Sequence, residues 1–424
     1  MQTETALALL IFVFTYALIS VRRIRGVSIE RPAAALFGAF LMIIIGVLPM
    51  DEVLGAIDLN ILALLLGMMI IVSCLEITGL FDRASQFLVT KCGDMFTFLW
   101  VSMGVTALLS ALILNDTVVL MFTPIIIKVC RSIDANPVPF LIGEALAANI
   151  GSVATAVGNP QNAYIVIRSG ITFPDFAMAL TPLAITSLVM AIAIVAVVFK
   201  KDIFNGRIGT PKMIDRTLVL RNMSKAKMER PFYLVLGVLI AVFIGFIISP
   251  WIDASISIIA FMGGCFLLLM LPLVKKDTGT APILRGVDWT LLLFFVGLFI
   301  LLKGVETSGL MTMMLDGFED AGAGVTGVPG LSLISAVLSN LISNVPAVML
   351  LSPVIDAGNN TLWLALASSS TLAGNATILG AAANVIVVEK ALSQGVEVRL
   401  RDFIKAGLPV TIVTLLIAMI YLGI

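Results

Sequence analysis

Two short polar runs carry most of the chemistry this sequence offers. Asn115-Asp116-Thr117 and Ser343-Asn344-Val345-Pro346 each interrupt long apolar stretches with side-chain oxygens. Asn, Asp, Ser and Thr cap helix starts, and the amide end of the returning helix adds partial positive charge at the same place. The side-chain oxygens of such a tip suit a cation, and Asp116 is the first candidate to couple ion movement to a proton. Two further runs, AANIGSVATAVGNPQN from Ala147 and AGNATILGAAAN from Ala373, contain Thr155, Gly158, Asn159 and Asn162, then Thr377, Gly380 and Asn384. Gly151, Gly158 and Pro160 in the first, and Gly374 and Gly380 in the second, break a helical ladder. Freed amides suit an anionic or hydroxylated solute, and freed carbonyls suit Na⁺ or a proton carrier. Close helix packing explains Gly151 or Gly374 equally well. It does not explain why Thr155, Asn159 and Asn162 gather at the breaks.

Ionisable residues inside apolar sequence are Glu76, Asp116, Glu144, Lys303 and Glu306. A charge at the centre of a bilayer costs about 2.5–3.5 kcal/mol on insertion scales. Glu76 and Glu306 fall near span ends, where an interfacial position is sufficient reason for them. Lys303 precedes Glu306 by one turn, which predicts a local ion pair. Glu144 reads either as structural or as a second coupling candidate.

These residues sit in a chain that only lipid can solvate. Hydrophobic residues make up 60% of its 424 positions and charged ones 12%, against about 25% charged in soluble domains. Mean hydropathy is +1.12. The formal net charge is zero, which argues against a nucleic-acid partner. Histidine is absent, so proton chemistry falls to carboxylates or a coupled ion. Cys74, Cys92, Cys130 and Cys265 are widely spaced, and suggest neither a disulfide frame nor a metal site. No HExxH, no GxSxG with partners and no cofactor motif is present, so an enzyme is not expected.

The apolar pattern predicts ordinary spans near 4–21, 32–49, 59–79, 176–199, 231–249, 256–274, 289–308 and 406–424. Two re-entrant hairpins are expected at about 99–130 and 330–356, with arms too short for full crossings, and two broken helices at about 138–168 and 361–389. One threading gathers Arg22, Arg23, Arg25, Arg31, Arg83, Lys91, Lys128, Arg131, Lys275, Lys276, Arg285, Lys390, Arg399, Arg401, Lys405 and the 200–230 stretch on one side. The positive-inside bias makes that side cytoplasmic and puts both termini outside. The first span follows no basic leader, so it reads as a retained span.

The two halves resemble each other. GAIDLNILALLLGMMIIVSCLEITGL from Gly55 reappears as GVDWTLLLFFVGLFILLKGVETSGL from Gly286, pairing Asp58 with Asp288, Gly67 with Gly297 and Glu76 with Glu306. Asn115 falls on Asn344, Thr155 on Thr377, Gly158 on Gly380 and Asn162 on Asn384. An odd number of crossings per half turns the second copy upside down. The expected fold is therefore an all-α polytopic membrane protein of two inverted repeats, each with about five spans, a hairpin and a broken helix. The repeats run 1–199 and 231–424, joined by a basic linker at 200–230. Interrupted segments at matching positions of such repeats point to a transporter's binding site.

NDTVVLMFTPIII, NPVPFLIGEALAANIGSVATAVGNPQN, SNVPAVMLLSP and STLAGNATILGAAANVIVVEKA resemble the motifs of arsenite-permease and Na⁺/H⁺-antiporter-like permeases. Their superfamily also holds citrate and dicarboxylate carriers. The resemblance implies a scaffold and a transport part, alternating access, and a homodimer. It also implies that Asn115, Asp116, Thr117, Ser343, Asn344 and Pro346 are tip residues. Thr155, Gly158, Asn159, Asn162, Thr377, Gly380 and Asn384 are then the broken-helix residues. Asn-Asp at the first tip is similar to arsenite permeases. Dicarboxylate carriers have Ser-Asn-Thr at both tips, and the antiporters have Asp-Asn followed by paired Thr, neither in full here. The reading is a secondary carrier of an anion or metalloid oxyacid, coupled to protons or Na⁺, in an inner or plasma membrane. A Na⁺/H⁺ antiporter is the main alternative, with a dicarboxylate symporter or a passive channel behind it.

Overall fold

The computed structural model describes residues 2–20, 23–24, 27–28, 30–91, 93–132, 135–204, 230–311, 313, 327–356 and 358–423. The expected basic linker falls, from 205 to 229, outside the described residues, as do Arg22, Arg25 and Cys92. Described structure is helical apart from a two-residue antiparallel pairing, Arg23–Ile24 with Val27–Ser28.

In the first half the helices are α1 (Gln2–Ser20), α2 (Arg31–Ile44), α3 (Val53–Ala56), α4 (Leu59–Ile77), α5 (Leu80–Lys91), α6 (Met95–Leu112), α7 (Asn115–Ser132), α8 (Val138–Ser152), α9 (Pro160–Ser169), α10 (Phe173–Val198) and α11 (Lys200–Ile203). The second half holds α12 (Arg230–Ile252), α13 (Ile256–Val274), α14 (Thr280–Arg285), α15 (Trp289–Thr307), α16 (Val328–Ile342), α17 (Asn344–Leu351), α18 (Asn360–Ala373), α19 (Ala382–Ser393) and α20 (Leu400–Gly423). Seven of these, α4, α6, α10, α12, α13, α15 and α20, are long and apolar enough to cross a membrane. The outer faces of α10, α12 and α13 stay apolar where they leave the protein, at Met178, Trp251 and Leu269 for example. Side chains of that kind suit hydrocarbon rather than water.

Two helix pairs come especially close. Gly67 of α4 lies against the α13 backbone, where a Cβ would come within 2.4 Å of Ala260. Its sequence counterpart Gly297 of α15 lies against α2, where a Cβ would come within 2.7 Å of the Ala35 backbone. Small residues allow such contact, and contact between backbones replaces the hydrophobic effect that lipid cannot supply. Asp58 caps α4 by accepting from the amides of Asn60 and Ile61, and Asp288 caps α15 by accepting from that of Leu291.

Side-chain bonds fix which ends lie together. Lys275 Nζ donates to the Ile77 carbonyl at 3.0 Å, Asn136 donates to Asp202 at 3.0 Å, and Arg131 donates to the Gln394 carbonyl. Arg83 sits over the Phe232 ring, 3.6 Å from its centroid. At the other end Thr5 donates to the Ser308 carbonyl at 2.7 Å. Accordingly α4 runs towards the basic end and α15 away from it, so these matching segments have opposite senses. Lys303 and Glu306 pair at 3.2 Å, both partly exposed, an arrangement worth about 0–1 kcal/mol.

One expectation needs correcting. The arms of the first hairpin are 18 residues each, not short, and α6 alone qualifies as a crossing helix. Pro124 lies inside α7 and does not end it. Within a bilayer the helix is the cheapest way to satisfy backbone groups, so one missing N–H does not end it. The second hairpin keeps the short form, with arms of 15 and 8 residues.

Candidate functional site

Each hairpin tip meets the break of the broken helix in its own half. Between α8 and α9 the chain unwinds over 153–159, and the Asn115 amide donates to the Gly158 carbonyl at 3.0 Å. No side chain fits at Gly158, where a Cβ would lie 2.5 Å from the Ser152 carbonyl oxygen and 2.7 Å from that of Ser110. Gly380 repeats the arrangement, with 2.7 Å to both Asn340 Oδ1 and the Gly374 carbonyl.

The carbonyls freed by the breaks were expected to face a cation. Four of them each accept a side-chain amide, one of the two bonds a carbonyl oxygen can take. Asn162 Nδ2 donates to Ser152 O at 2.9 Å and Thr155 O at 3.0 Å. Asn384 Nδ2 makes the matching pair, to Gly374 O at 2.7 Å and Thr377 O at 2.9 Å. An uncompensated carbonyl in a dry interior costs more than the entropy of fixing one amide, and this favours the brace. Thr155 donates to Ala111 O at 2.5 Å and Thr377 to Asn340 Oδ1 at 3.2 Å. Asn159 caps α9 by accepting from the Asn162 amide at 2.8 Å, and its Nδ2 reaches Ser152 Oγ at 2.9 Å. Pro346 is buried, and its carbonyl faces the Tyr16 hydroxyl at 3.5 Å. None of these broken-helix residues, nor Pro346, lines the cavity between the two tips.

A cavity of about 220 Å³ is lined by Asn115 and Asp116 from the first tip and by Ser343, Asn344 and Val345 from the second. Pro160 and Gln161 at the start of α9, and Ala381 and Ala382 at the start of α19, complete its inner wall. The scaffold contributes Arg31, Asp288 and Thr290. Thr117 lines a small adjoining space with Asp116 and Asp288. Arg31 Nη1 donates to Ser343 Oγ at 3.0 Å. The charges acting on Asp116 are Asp288, a like charge, and Arg31, an opposite one. The lining thus holds two carboxylates, one guanidinium, the Ser343 hydroxyl and the uncapped amide end of α19.

The two tips differ in what they leave open. Asn344, with its amide turned to satisfy its neighbours, donates to Ser370 O at 3.1 Å and Gly380 O at 3.0 Å and accepts from Gln161 Nε2 at 3.3 Å. Asn115 donates its Nδ2 to Asn149 Oδ1 at 3.3 Å. Ser343 has φ 78°, a conformation that costs a non-glycine residue about 1–3 kcal/mol and recurs where function over-determines the backbone. Ser343→Gly is expected to keep or raise the melting temperature while weakening solute binding, read by thermal denaturation and by uptake.

Glu144 is fully buried and lines none of the cavities described. Thr123 Oγ1 lies 3.1 and 3.2 Å from its two oxygens. Away from the basic end a second cavity, of about 520 Å³, holds Asp58, Tyr164, Arg168, Lys303 and Glu306. The starts of α9 and α17 line the first cavity and their later turns the second, so these two helices stand between them. Tyr164 and Ser352 hydroxyls clasp them at 2.7 Å.

Sequence reasoning missed Arg31, Thr290, Gln161 and Asn149 as site components, and knew Asp288 only as the counterpart of Asp58. Arg31 looked like one more basic loop residue. Its position directly before Pro32, at the first turn of a helix, was the signal available.

A polytopic helical protein with paired hairpins and broken helices around a charged internal cavity is a membrane transporter. The chain belongs to the citrate transporter family, whose model matches residues 14–364. It is 31% identical to a 46 kDa membrane protein of Mycobacterium leprae, over 99% of this chain and 98% of that protein. It is 29% identical to the silicon efflux transporter LSI3 of Oryza sativa subsp. japonica, over 93% of both chains. A putative transporter, arsB, of Dictyostelium discoideum is 27% identical over 92% of this chain and 86% of its own. Among solved structures, the YdaH transporter of Alcanivorax borkumensis matches with a TM-score of 0.57 and 15% identity, covering 99% of this chain and 97% of that one. The last likeness concerns the fold alone.

Proposed function

We propose that the protein is a secondary active transporter of a small oxygen-rich acid, neutral or singly charged, such as a metalloid hydroxyacid. A cation held by the acidic wall is coupled to it. One observation carries this reading: the cavity's charged lining is one guanidinium, Arg31, against two carboxylates, Asp116 and Asp288. A tricarboxylate would bring several negative charges to a wall that already carries an excess of them. A neutral hydroxyacid accompanied or exchanged by a cation meets no such opposition. The names of two relatives, a silicon efflux transporter and an arsB-like transporter, agree with a metalloid solute.

Asn115 and Asp116 face the cation, and Arg31, Ser343 and the start of α19 face the solute's oxygens. The acidic wall equally suits a Na⁺/H⁺ antiporter, which needs no solute beside the cations. The basic end is cytoplasmic on the positive-inside rule, and the membrane is the plasma membrane. Glu144, enclosed and bonded to Thr123, is structural in this reading.

Everted vesicles tested with arsenite, silicic acid and citrate, each with an imposed H⁺ or Na⁺ gradient, decide between these. Gradient-dependent arsenite or silicic acid accumulation is the expected outcome. Citrate accumulation alone would overturn the neutral-solute reading, and Na⁺/H⁺ exchange without any solute would establish the antiporter. Arg31→Ala is expected to raise the half-saturating solute concentration about ten- to a hundredfold, since a hydrogen bond from a charged group contributes about 1.5–3 kcal/mol. Initial uptake rates across solute concentrations measure it.

A further inference from the structure

Buried amides connect the second broken helix to the first hairpin tip. Asn384 spends both protons of its Nδ2 on the carbonyls of Gly374 and Thr377. Its Oδ1 is therefore an acceptor, and it faces Asn149 Nδ2 at 2.9 Å. That nitrogen also donates to Asn375 Oδ1 at 2.9 Å. Both protons of Asn149 Nδ2 are then committed, so its Oδ1 must accept, and it accepts from Asn115 Nδ2 at 3.3 Å. Asn149 and Asn384 are fully buried, and Asn115 nearly so. At that burial, reversing one amide would set donor against donor or acceptor against acceptor.

We infer that Asn149 is a positioning residue that sets the polarity of the first tip: it holds the Asn115 nitrogen inwards and leaves Asn115 Oδ1 as the atom presented to the cavity beside Asp116. A neutral amide oxygen next to a carboxylate is a ligand set for a metal cation such as Na⁺ rather than a second proton site. The second tip does not offer this, because Gln161 occupies the Asn344 oxygen. The relay also gives a route by which the broken helix that faces the solute biases the tip that faces the cation. Its physical content is an orientation, not a contact with either ligand. The inference rests on the reading that a cation binds at the first tip.

The test is Na⁺-dependent thermal stabilisation of the purified full-length protein, with choline replacing Na⁺ at constant ionic strength, since a ligand of the folded state raises its melting temperature with concentration. Two near-isosteric variants separate polarity from packing. Asn149→Leu removes the acceptor that pins Asn115, and is expected to raise the half-effective Na⁺ concentration about tenfold. Asn149→Asp keeps an acceptor for Asn115 but gives up the donor to Asn375 and Asn384, so it is expected to melt lower without Na⁺ and yet to bind Na⁺ no more weakly than wild type. Asp116→Asn should abolish the Na⁺ response. Equal weakening in both Asn149 variants, or none in Asn149→Leu, would overturn the relay while leaving the cation site intact. Failure of both Asn149 variants to reach the membrane would assign the residue to folding and overturn it too. A wild type without any Na⁺ response alongside intact solute transport would remove the metal-cation site, and with it the relay.

Discussion

Asp116→Asn is expected to reach the membrane at wild-type level and to lose gradient-driven flux by roughly a hundredfold, from the ~3 kcal/mol that a buried charge contributes to its partner. The substitution keeps the size and shape of the side chain in the first turn of α7, so the fold has little reason to respond. What changes is the acidic wall. Asp288 remains as its carboxylate, and it is engaged with the Leu291 amide at 3.0 Å. Flux should also lose the part of its pH dependence that a titrating carboxyl supplies, because asparagine has no proton to release. Counterflow of solute without a gradient, measured in the same vesicles, distinguishes lost coupling from lost binding. Retained gradient-driven uptake in the mutant would exclude Asp116 from coupling.

Gly151→Ala is expected to have the second large effect, on folding rather than transport. A Cβ at this position of α8 would lie 2.1 Å from the Ala107 carbonyl oxygen and 2.4 Å from the Ala107 Cα in α6. Backbone cannot move aside as a side chain does. Overpacking costs about 1–3 kcal/mol or more, a large share of the roughly 5–15 kcal/mol that keeps a typical protein folded. Gly104→Ala in the partner helix α6 is the control, because its Cβ meets nothing within 4 Å. There the change should be neutral or stabilising by about 0.5–1 kcal/mol. Fluorescence-detected gel filtration after heating measures both. A stable Gly151→Ala protein would show that α6 and α8 separate more easily than their contact implies.

Much of the architecture was legible in the residues because the bilayer restricts it. With 60% hydrophobic and 12% charged residues the chain has few folds open to it, and every backbone group in hydrocarbon must be bonded within helices. Gly, Pro and Asn clusters then reveal where helices stop, and α8, α9, α18 and α19 begin and end close to those marks. The Lys303–Glu306 pair followed from its spacing alone.

The site was legible only as a set of neighbourhoods. Sequence spacing placed Asn115, Asp116, Ser343 and Asn344 at two tips, and those four line one cavity. It could not say that Asn162 and Asn384 use their nitrogens to close the very carbonyls the breaks expose. That outcome depends on how the chain doubles back over seven to ten residues, which residue types do not specify. Nor could it bring in Arg31 and Asp288, which reach the cavity through the packing of α2 against α15. The sequence by itself determined that this is a helical membrane protein with two matched polar interruptions, because the solvent and the hydrogen-bonding needs of the backbone act on local composition. The tertiary structure alone decided which oxygens point inwards, which are already spent, and which scaffold charges face them. Those contacts span from seven residues, as Asn162 with Thr155, to more than three hundred, as Arg31 with Ser343, and no local propensity records them.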